Sequence, residues 1–202
     1  MSAGLPLGWV DVSLGQLATY INGKAFNKLH WKEQGLPIIR IQNLNNPQAS
    51  FNRSDEIHEE RYKVKSGDLL ISWSASLGAY IWKGGDAWLN QHIFKVEPYT
   101  EILKTHYLYY AVTNSIDELY KKSHGMGMVH VTKGKFESHE VRLPPLNEQI
   151  RIANKLDSLL AKVDVAQARL EKIPTLLKRF RQSVLAAATS GELTREWRDQ
   201  QK

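Results

Sequence analysis

The sequence contains no cysteine among its 202 residues, which excludes disulfide bonds and metal sites built from thiolates. It also lacks any apolar run of the ~18 residues that a membrane-spanning helix needs. The segment from Met1 to Gly8 has neither the basic start nor the apolar core of a signal peptide. These absences predict a cytoplasmic protein that folds without disulfide cross-links and without a membrane anchor.

Motifs of the common enzyme classes are missing as well. An amino-methyltransferase carries Asp or Asn before Pro-Pro and an aromatic residue after it, whereas Pro144-Pro145 lies between two leucines. Gly134-Lys135 lacks the upstream glycine of a phosphate-binding loop, and His58-Glu59-Glu60 lacks the second histidine of a zinc-binding helix. We therefore expect a chain that is not an enzyme by itself and that binds no metal or cofactor.

The chain is basic overall, with a formal net charge of +6 and an isoelectric point near 9.4. Residues 1–146 hold 16 Lys and Arg against 14 Asp and Glu, and residues 147–202 hold 11 against 7. Much of the acid in the first part lies between Asp55 and Glu60. A separate basic face elsewhere on this part is therefore compatible with its charge, and such a face favours an anionic partner such as nucleic acid.

The last quarter of the chain predicts one long amphipathic helix, from Asn147 to about Ala188. Five heptads pass there without a polar residue at either apolar position, which is typical of a coiled coil. We call this apolar stripe the seam; position a holds Leu156, Val163, Leu170, Leu177 and Val184, and position d holds Leu159, Ala166, Ile173, Phe180 and Ala187. Such a helix needs a partner along its length. The alternative is a helix folded back on its own domain.

The ends of this helix are marked in the sequence. Pro144 and Pro145 cannot lie inside it, and Asn147 is its predicted N-cap. Gly191 follows the last apolar position and predicts its end. Pro174 lacks the N–H that the helix would use at that position, so we predict a kink or a short break there.

The residues before the helix predict a mixed α+β domain. Short alternating or apolar segments separated by glycine turns indicate a sheet or partial barrel. The predicted strands are Trp9–Leu14, Leu36–Leu44, a segment within Tyr62–Ser76, Ala79–Trp82, Ala87–Val96 and Val141–Leu143; Gly15–Ile21 and Glu101–Lys122 are predicted helices, and Lys24–Gly35 and Ser123–Gly134 are predicted loops. The predicted organisation is thus a sheet-rich domain at 1–146, a coiled-coil spacer and dimerisation helix at 147–190, and a tail at 191–202.

Five segments of the sequence, taken in order, carry a resemblance to a known family. They are Leu36-Pro37-Ile38-Ile39-Arg40-Ile41-Gln42-Asn43-Leu44, Gly67-Asp68-Leu69-Leu70-Ile71-Ser72-Trp73, Leu89-Asn90-Gln91-His92, Leu143-Pro144-Pro145-Leu146-Asn147-Glu148-Gln149 and Arg181-Gln182-Ser183-Val184-Leu185, with Ala188 and Gly191-Glu192-Leu193-Thr194 behind. Together they resemble the specificity (S) subunits of type I restriction-modification systems. Each segment alone is a weak signal. Their order and spacing make the resemblance specific, and it covers nearly the whole chain.

The resemblance implies a DNA-reading subunit without catalysis of its own. Members of this family usually carry two target-recognition domains, each followed by a long helix, and each domain reads one half of a gapped DNA site. Methyltransferase (M) subunits bind this scaffold and methylate adenines with S-adenosylmethionine, and restriction (R) subunits join for cleavage. This sequence has one domain and one helix, so the resemblance implies either a half-length S subunit or a fragment of a longer one. Two copies would pair through antiparallel helices on double-stranded DNA.

The candidate DNA-binding residues are polar or basic side chains in predicted loops and at strand ends. Arg, Lys, Asn and Gln contact phosphates or base edges, and small residues let the backbone approach the duplex. The candidates are Lys24, Asn27, Lys28, His30, Lys32, Gln42, Asn43, Ser74, Ser76, His124, Lys133 and Lys135. The sequence does not specify the target bases or the gap between half-sites.

Two other functions are compatible with a basic domain followed by a coiled coil. One is a stand-alone dimeric DNA-binding regulator, which a bound methyltransferase subunit would exclude. The other is a coiled-coil scaffold without DNA binding, which salt-dependent binding to a duplex would exclude.

Overall fold

The computed structural model describes residues 4–46, 48–123 and 131–201. By its internal contacts the chain divides into two compact units, Met1–Ala153 and Asn154–Lys202. Among the described residues, no helix combines the length and the apolar character needed to cross a membrane.

Among the described residues, the first unit contains ten strands and three complete α-helices. The strands are β1 (Val10–Ser13), β2 (Ala18–Asn22), β3 (Leu36–Ile39), β4 (Asn52–Ser54), β5 (Lys63–Val64), β6 (Leu69–Ser72), β7 (Gly78–Ile81), β8 (Ala87–Leu89), β9 (Ile93–Pro98) and β10 (Glu140–Leu143), and the helices are α1 (Ile41–Asn45), α2 (Thr105–Ser123) and α3 (Lys133–Glu137). Helix α4 (Leu146–Thr189) follows, and α5 (Arg195–Asp199) completes the order. The predicted α+β class, with one long C-terminal helix, is confirmed.

The strands form three sheets. One antiparallel sheet has the order β2-β9-β6-β7, and a mixed sheet has the order β4-β3-β8-β5, in which β3 and β8 run parallel. Strands β1 and β10 pair antiparallel, with Val10 opposite Leu143. In the first sheet Ile71 lies opposite both Phe94 and Ala79, so β6 is a central strand.

Strand β6 contributes to two cores, which explains its continuous apolar run. Leu69 and Ile71 belong to the core that also contains Leu108 and Val112 of α2, whereas Leu70 belongs to a second core with Ile39 and other residues of the mixed sheet. Successive side chains of a strand point to opposite faces. A strand buried on both faces therefore needs apolar residues at every position.

Four of the predicted elements are wrong in part. Gly15–Ile21 is not one helix: a 3-10 turn at Leu14–Gln16 is followed by β2, in which Ala18 and Tyr20 alternate toward the core and which pairs with β9. The strand predicted at Leu36–Leu44 ends at Ile39 and gives way to α1, and the strand predicted at Ala87–Val96 is split into β8 and β9 by a turn at 90–92. The predicted loop at Ser123–Gly134 missed the start of α3; its residues 124–130 lie outside the described residues.

Helix α4 contains 44 residues, which makes it about 66 Å long at 1.5 Å per residue. It begins one residue before Asn147, so Asn147 is not the N-cap, and Glu148 lies in its first turn. The helix is not interrupted at Pro174, although this proline cannot donate to the carbonyl four residues earlier. Gly191 follows the helix with φ +76°, a conformation that glycine adopts without strain.

The first turns of α4 are anchored within the first unit by Gln149, which is fully buried. Its Nε2 donates to the carbonyl oxygens of Ile102 at 2.9 Å and Pro144 at 2.8 Å, and its Oε1 accepts from the backbone N–H of Lys104 at 2.8 Å. Trp9 Nε1 donates to the carboxylate of Glu148 at 3.1 Å. One amide side chain therefore satisfies three backbone groups at the start of the helix.

We expect Gln149→Ala to lower the free energy of unfolding of the first unit by about 2 to 4 kcal/mol, because backbone groups buried against the side chain lose their partners. Denaturant titration of the purified protein measures this change. Gln167→Ala is the matched control: Gln167 is an exposed glutamine of the same helix that bonds Glu171, so its replacement should change stability by less than about 0.5 kcal/mol. Equal stabilities of the two variants would contradict the anchoring role.

Candidate nucleic-acid interface

Three turns of the first unit meet at one edge of its two larger sheets, and helix α1 is linked to one of them. The turn after β2 joins the turn between β8 and β9, where Lys24 N–H donates to Leu89 O at 3.0 Å and Gln91 N–H donates to Lys24 O at 2.8 Å. Gly23 lies so close to Asn90 that any side chain at position 23 would overlap the Asn90 carbonyl. The α1 segment and the turn between β6 and β7 are linked by a 2.8 Å bond from Asn45 Nδ2 to Ser76 Oγ. We call these turns the loop edge.

Trp73 connects the turn between β6 and β7 to the turn between β8 and β9. Its ring centroid lies 4.9 Å from that of His92, and its backbone N–H donates to His92 O at 3.2 Å. Its Nε1 donates to Asn22 Oδ1 at 3.2 Å, and its carbonyl accepts from Val131 N–H at 3.2 Å. The side chain and the backbone of Trp73 thus hold the loop edge together.

Two residues of the loop edge have a left-handed backbone, Ala75 with φ 60° and His92 with φ 70°. This conformation costs a residue with a side chain on the order of 1 kcal/mol or more. Backbone strain of this kind concentrates at functional sites. Sequence reasoning missed Trp73, His92 and Asn22 as members of the site, because their contacts join residues far apart in the chain.

The basic loop Lys24–Gly35 rests on an aromatic cluster. Phe26 is buried with Ile38 and Trp88, and its ring contacts the His58 ring edge-on at a centroid distance of 4.9 Å. Trp31 packs against this cluster and lies under Arg40, whose guanidinium carbon is 5.7 Å from the ring centroid. Phe26 is therefore buried and Trp31 partly buried beneath the loop, while Lys28 and Lys32 are exposed.

His58 supports Lys24 as a neutral acceptor. Lys24 Nζ lies 3.0 Å from His58 Nδ1, and because an ammonium group only donates, Nδ1 accepts and the ring proton lies on Nε2, 3.1 Å from Ser54 Oγ. Burial lowers the pKa of His58 below its usual value, and the positive charge of Lys24 lowers it further, while Glu56 acts in the opposite direction. The neutral ring therefore holds the Lys24 side chain in place without adding a negative charge beside it.

Several predicted DNA-binding residues have structural contacts. Asn43 is 5% exposed; its Oδ1 accepts from Arg40 N–H at 3.1 Å and its Nδ2 donates to two backbone carbonyls, so it caps α1 and is not available to a base. Ser74 is 7% exposed and is likewise removed from the surface. Both of these predictions conflict with the structure. The sequence places the Asn43 amide next to a predicted strand end, and nothing nearby indicates that it caps a helix instead.

Other predicted residues are accessible but partly engaged. Asn27 Oδ1 caps the short turn at 28–30 by accepting from Leu29 N–H, and His30 Nδ1 accepts from Asn27 N–H at 3.1 Å. Lys133 Nζ donates to Tyr20 O at 3.1 Å and lies 3.5 Å from the carboxylate of Glu137. Ser76 belongs to the loop edge through Asn45, and His124 lies outside the described residues.

Four candidates combine exposure with free side chains. Lys28, Lys32, Gln42 and Lys135 are exposed, and within the described part of the chain their side chains form no hydrogen bond or ion pair. Three are cations and one is an amide, so the group offers phosphate contacts together with one side chain able to pair with adenine.

The seam of α4 is uncovered within the second unit. Leu170 is 64% exposed, Leu177 52% and Phe180 66%, and Leu156 and Ala187 at its two ends are half-buried. The other seam residues, Leu159, Val163, Ala166, Ile173 and Val184, are exposed as well. A contiguous apolar stripe of this length on a soluble monomer marks an interaction surface.

The chain was compared with known proteins. Residues 6–175 match the family described as Type I restriction modification DNA specificity domain. The chain is 36% identical to the type I restriction enzyme EcoBI specificity subunit of Escherichia coli over 193 residues, which cover 95% of this chain and 40% of the relative. It is 33% identical to the EcoKI specificity subunit of Escherichia coli strain K12, covering 98% of this chain and 46% of the relative.

Solved structures show the same similarity. A chain from a structural study of complex assembly and conformational transition of the type I R-M system superposes with a TM-score of 0.75 at 26% identity, over 93% of this chain and 47% of that chain. The HsdS subunit from Thermoanaerobacter tengcongensis has the same fold, with a TM-score of 0.71 at 24% identity over 93% of this chain and 46% of that chain. The chain spans less than half the length of each of these relatives. The resemblance inferred from the five sequence segments is confirmed: the chain belongs to the family of type I restriction-modification DNA specificity domains.

Proposed function

We propose that the chain is a non-catalytic DNA-binding subunit that reads one half of a bipartite site and forms a homodimer through α4. The observation that carries the proposal is the uncovered seam of α4 in a chain that contains a single recognition domain. The domain roles follow the sequence prediction: residues 1–146 read DNA, 147–190 form the spacer and dimerisation helix, and 191–202 are a tail.

The spacing of the seam supports an antiparallel dimer. Its midpoint falls midway between Leu170 and Ile173. When two copies are paired antiparallel about this point, every residue at position a lies opposite a residue at position d; Leu156 meets Ala187 and Leu170 meets Ile173. All ten seam residues then lie in such layers, as knobs-into-holes packing requires. The pairing places the two recognition domains at opposite ends of the helix pair, whereas a parallel pair would crowd them together.

The loop edge and the adjacent basic loop are the proposed DNA-binding face. Lys24, Lys28 and Lys32 lie in one loop, and Gln42 lies on α1, which is linked to the loop edge through Asn45. Lysines at such a face contact phosphates and fix the register of the protein on the duplex, while amide side chains discriminate bases in the major groove. A helix pair about 66 Å long can hold two such faces on successive turns of one duplex, which are about 34 to 36 Å apart.

Partner subunits, and not this chain, carry out methylation and cleavage. Methyltransferase (M) subunits bind the specificity scaffold, and restriction (R) subunits bind for cleavage, in the cytoplasm. In the complex with these subunits, this chain acts either as a half-length specificity subunit or as part of a longer one. Its own contribution is the choice of the DNA site.

Purified protein alone should bind duplex DNA and transfer no methyl groups, because its sequence contains none of the methyltransferase motifs described above. Adding a methyltransferase subunit of the same system and labelled S-adenosylmethionine should produce methylation of adenine. Filter-binding of labelled DNA measures the difference. Methyl transfer by this chain without the added subunit would disprove the proposal.

Replacing Lys28 or Lys32 by alanine should weaken binding to all duplex sequences, since phosphate contacts carry no sequence information. Each loss should reduce the slope of log affinity against log salt concentration by about 0.9. Titrations of a labelled duplex at several salt concentrations give this slope. Lys172→Ala is the matched control, because Lys172 lies on the outer face of α4, at heptad position c; an equal effect of this change would remove the basic loop from the interface.

A further inference from the structure

The segment after α4 folds back into a compact turn that we call the C-terminal hook, residues 190–199. It consists of a single 3-10 turn at Glu192–Thr194 followed by α5. Arg198 closes it by donating from Nη2 to Gly191 O at 2.6 Å and from Nη1 to Thr194 Oγ1 at 2.7 Å. Gly191 has φ +76°, a conformation that residues with a side chain rarely adopt, so this turn favours glycine.

The hook presents two large apolar side chains to solvent. Leu193 is 62% exposed and Trp197 is 63% exposed, in a segment whose other residues are mostly charged or polar. Neither Leu193 nor Trp197 takes part in the two hydrogen bonds by which Arg198 closes the hook. Exposed tryptophan on an ordered segment is characteristic of interface anchors, because Trp is enriched among residues that dominate binding.

The length of free helix indicates where the hook lies in the dimer. Gln149 and Ala153 of α4 are buried within the first unit, and the second unit begins at Asn154. The helix from Asn154 to its end at Thr189 has the same midpoint as the seam, midway between Leu170 and Ile173. In the antiparallel pair, Thr189 of one copy therefore lies opposite Asn154 of the second copy. The helix of the first copy thus ends at the point where the second copy's own recognition domain starts to cover the second copy's helix.

The segment Tyr99–Lys104 lies at that position of the recognition domain. It covers Gln149, which occupies position a of the heptad before Leu156, by bonding it through Ile102 O and Lys104 N–H. Tyr99 and Ile102 are both 44% exposed. Glu101 and Lys104 lie beside them. The hook carries charges of both signs as well, of which Glu192 and Arg195 pair with each other at 3.4 Å, so charged groups surround the apolar side chains on both surfaces.

We propose that the C-terminal hook of each copy docks on the Tyr99–Lys104 segment of the second copy, with Trp197 and Leu193 packed against Ile102 and Tyr99. This contact rests on the proposed antiparallel dimer and extends it. Each recognition domain is then held by its own helix and by the hook of the other copy. The second contact fixes the domain at the end of the helix pair, where its position sets the distance between half-sites.

The absence of native cysteine permits a direct test by disulfide cross-linking. The variant Ile102→Cys is mixed with the variant Trp197→Cys, the two are allowed to exchange subunits, and the mixture is oxidised and run on a non-reducing gel. We expect a covalent dimer in the mixture at a yield well above that of either variant alone. The control replaces Ile102→Cys by Ile57→Cys, which is 96% exposed and lies outside the segment; this pair should cross-link no better than the single variants. Cross-linking of Trp197→Cys to itself as the main product would overturn the proposal, because it places the two hooks together.

Dimer affinity provides the second test. Trp197→Ala should raise the dimer dissociation constant about 100-fold, since loss of an anchor weakens binding about tenfold or more and a two-fold dimer contains the contact twice. Leu29→Ala, which also removes an exposed apolar side chain, should leave the constant unchanged. If the unmodified chain is monomeric, the proposed dimer fails. If it is dimeric and Trp197→Ala has the same dissociation constant, the dimer stands and the hook contact is wrong.

Discussion

Replacing Leu170 and Leu177 by aspartate is expected to convert the proposed dimer into monomers at micromolar concentration. Both residues are largely exposed in the single chain, so the change should not disturb the fold of the recognition domain. In the antiparallel pair they lie in the central layers of the seam, and the double variant buries four carboxylates without partners. Removing one such charge from water costs several kcal/mol. A loss of more than about 1000-fold in dimer affinity follows.

Light scattering coupled to size-exclusion chromatography measures this change directly. Val165→Asp is the matched control, because Val165 is 52% exposed but lies at heptad position c, outside the seam; this variant should remain dimeric. Far-ultraviolet circular dichroism should show that both variants keep the fold of the recognition domain. A dimer that survives both aspartates, or a monomeric unmodified chain, would show that the seam has another partner.

Inserting seven residues between Ala166 and Leu170 is expected to lengthen the gap between half-sites without changing the half-sites. The insertion keeps the heptad phase and adds about 10 Å of helix, which corresponds to roughly three base pairs at 3.4 Å each. Three base pairs also rotate one half-site by roughly 100° relative to the other. We therefore expect the complex with the methyltransferase subunit to methylate fewer sites than before, all of them with the longer gap.

An insertion of two residues at the same position is the matched control. It adds helix length but turns the following part of the seam by about 200°, to the opposite face of the helix, so dimerisation should be lost together with site recognition. Gln42→Ala provides the complementary change, since it should alter affinity or base preference with the gap unchanged. A gap that stays constant after the seven-residue insertion would contradict the role of α4 as the spacer.

The long helix and its seam were predictable because their signal is local and repetitive. The heptad spacing from Leu156 to Ala187 needs no tertiary information, and the observed helix differs from the predicted one by one residue at each end. Pro174 was expected to kink or break it, but the observed helix has no break there. The five consecutive heptads continue on both sides of Pro174. Together they favour a continuous helix more strongly than this single proline disfavours it.

The errors in the recognition domain occur where tertiary contacts decide local structure. Ala18 and Tyr20 form a strand because β9 provides hydrogen-bond partners and a core, and neither is visible from nearby residues. Asn43 ends the preceding strand by capping α1, and His92 splits one predicted strand into two by adopting a left-handed backbone. Propensity and alternation do not signal either event.

The candidate interface shows the same division. Exposure of the lysines in the loop Lys24–Gly35 was predictable from composition, and the structure confirms that Lys28 and Lys32 are exposed. The loop edge was not predictable, because Trp73, His92 and Asn22 meet through the order of strands in one sheet. DNA contact by these residues stays a prediction.

In the proposed antiparallel homodimer, one recognition domain lies at each end. Methylome sequencing of cells that express the chain with a methyltransferase subunit of the same system tests this arrangement most directly. Because two identical recognition domains related by a two-fold axis must read identical half-sites, the methylated motif should be an interrupted palindrome with one methylated adenine in each half. A methylated motif whose two halves differ in sequence would contradict the homodimer.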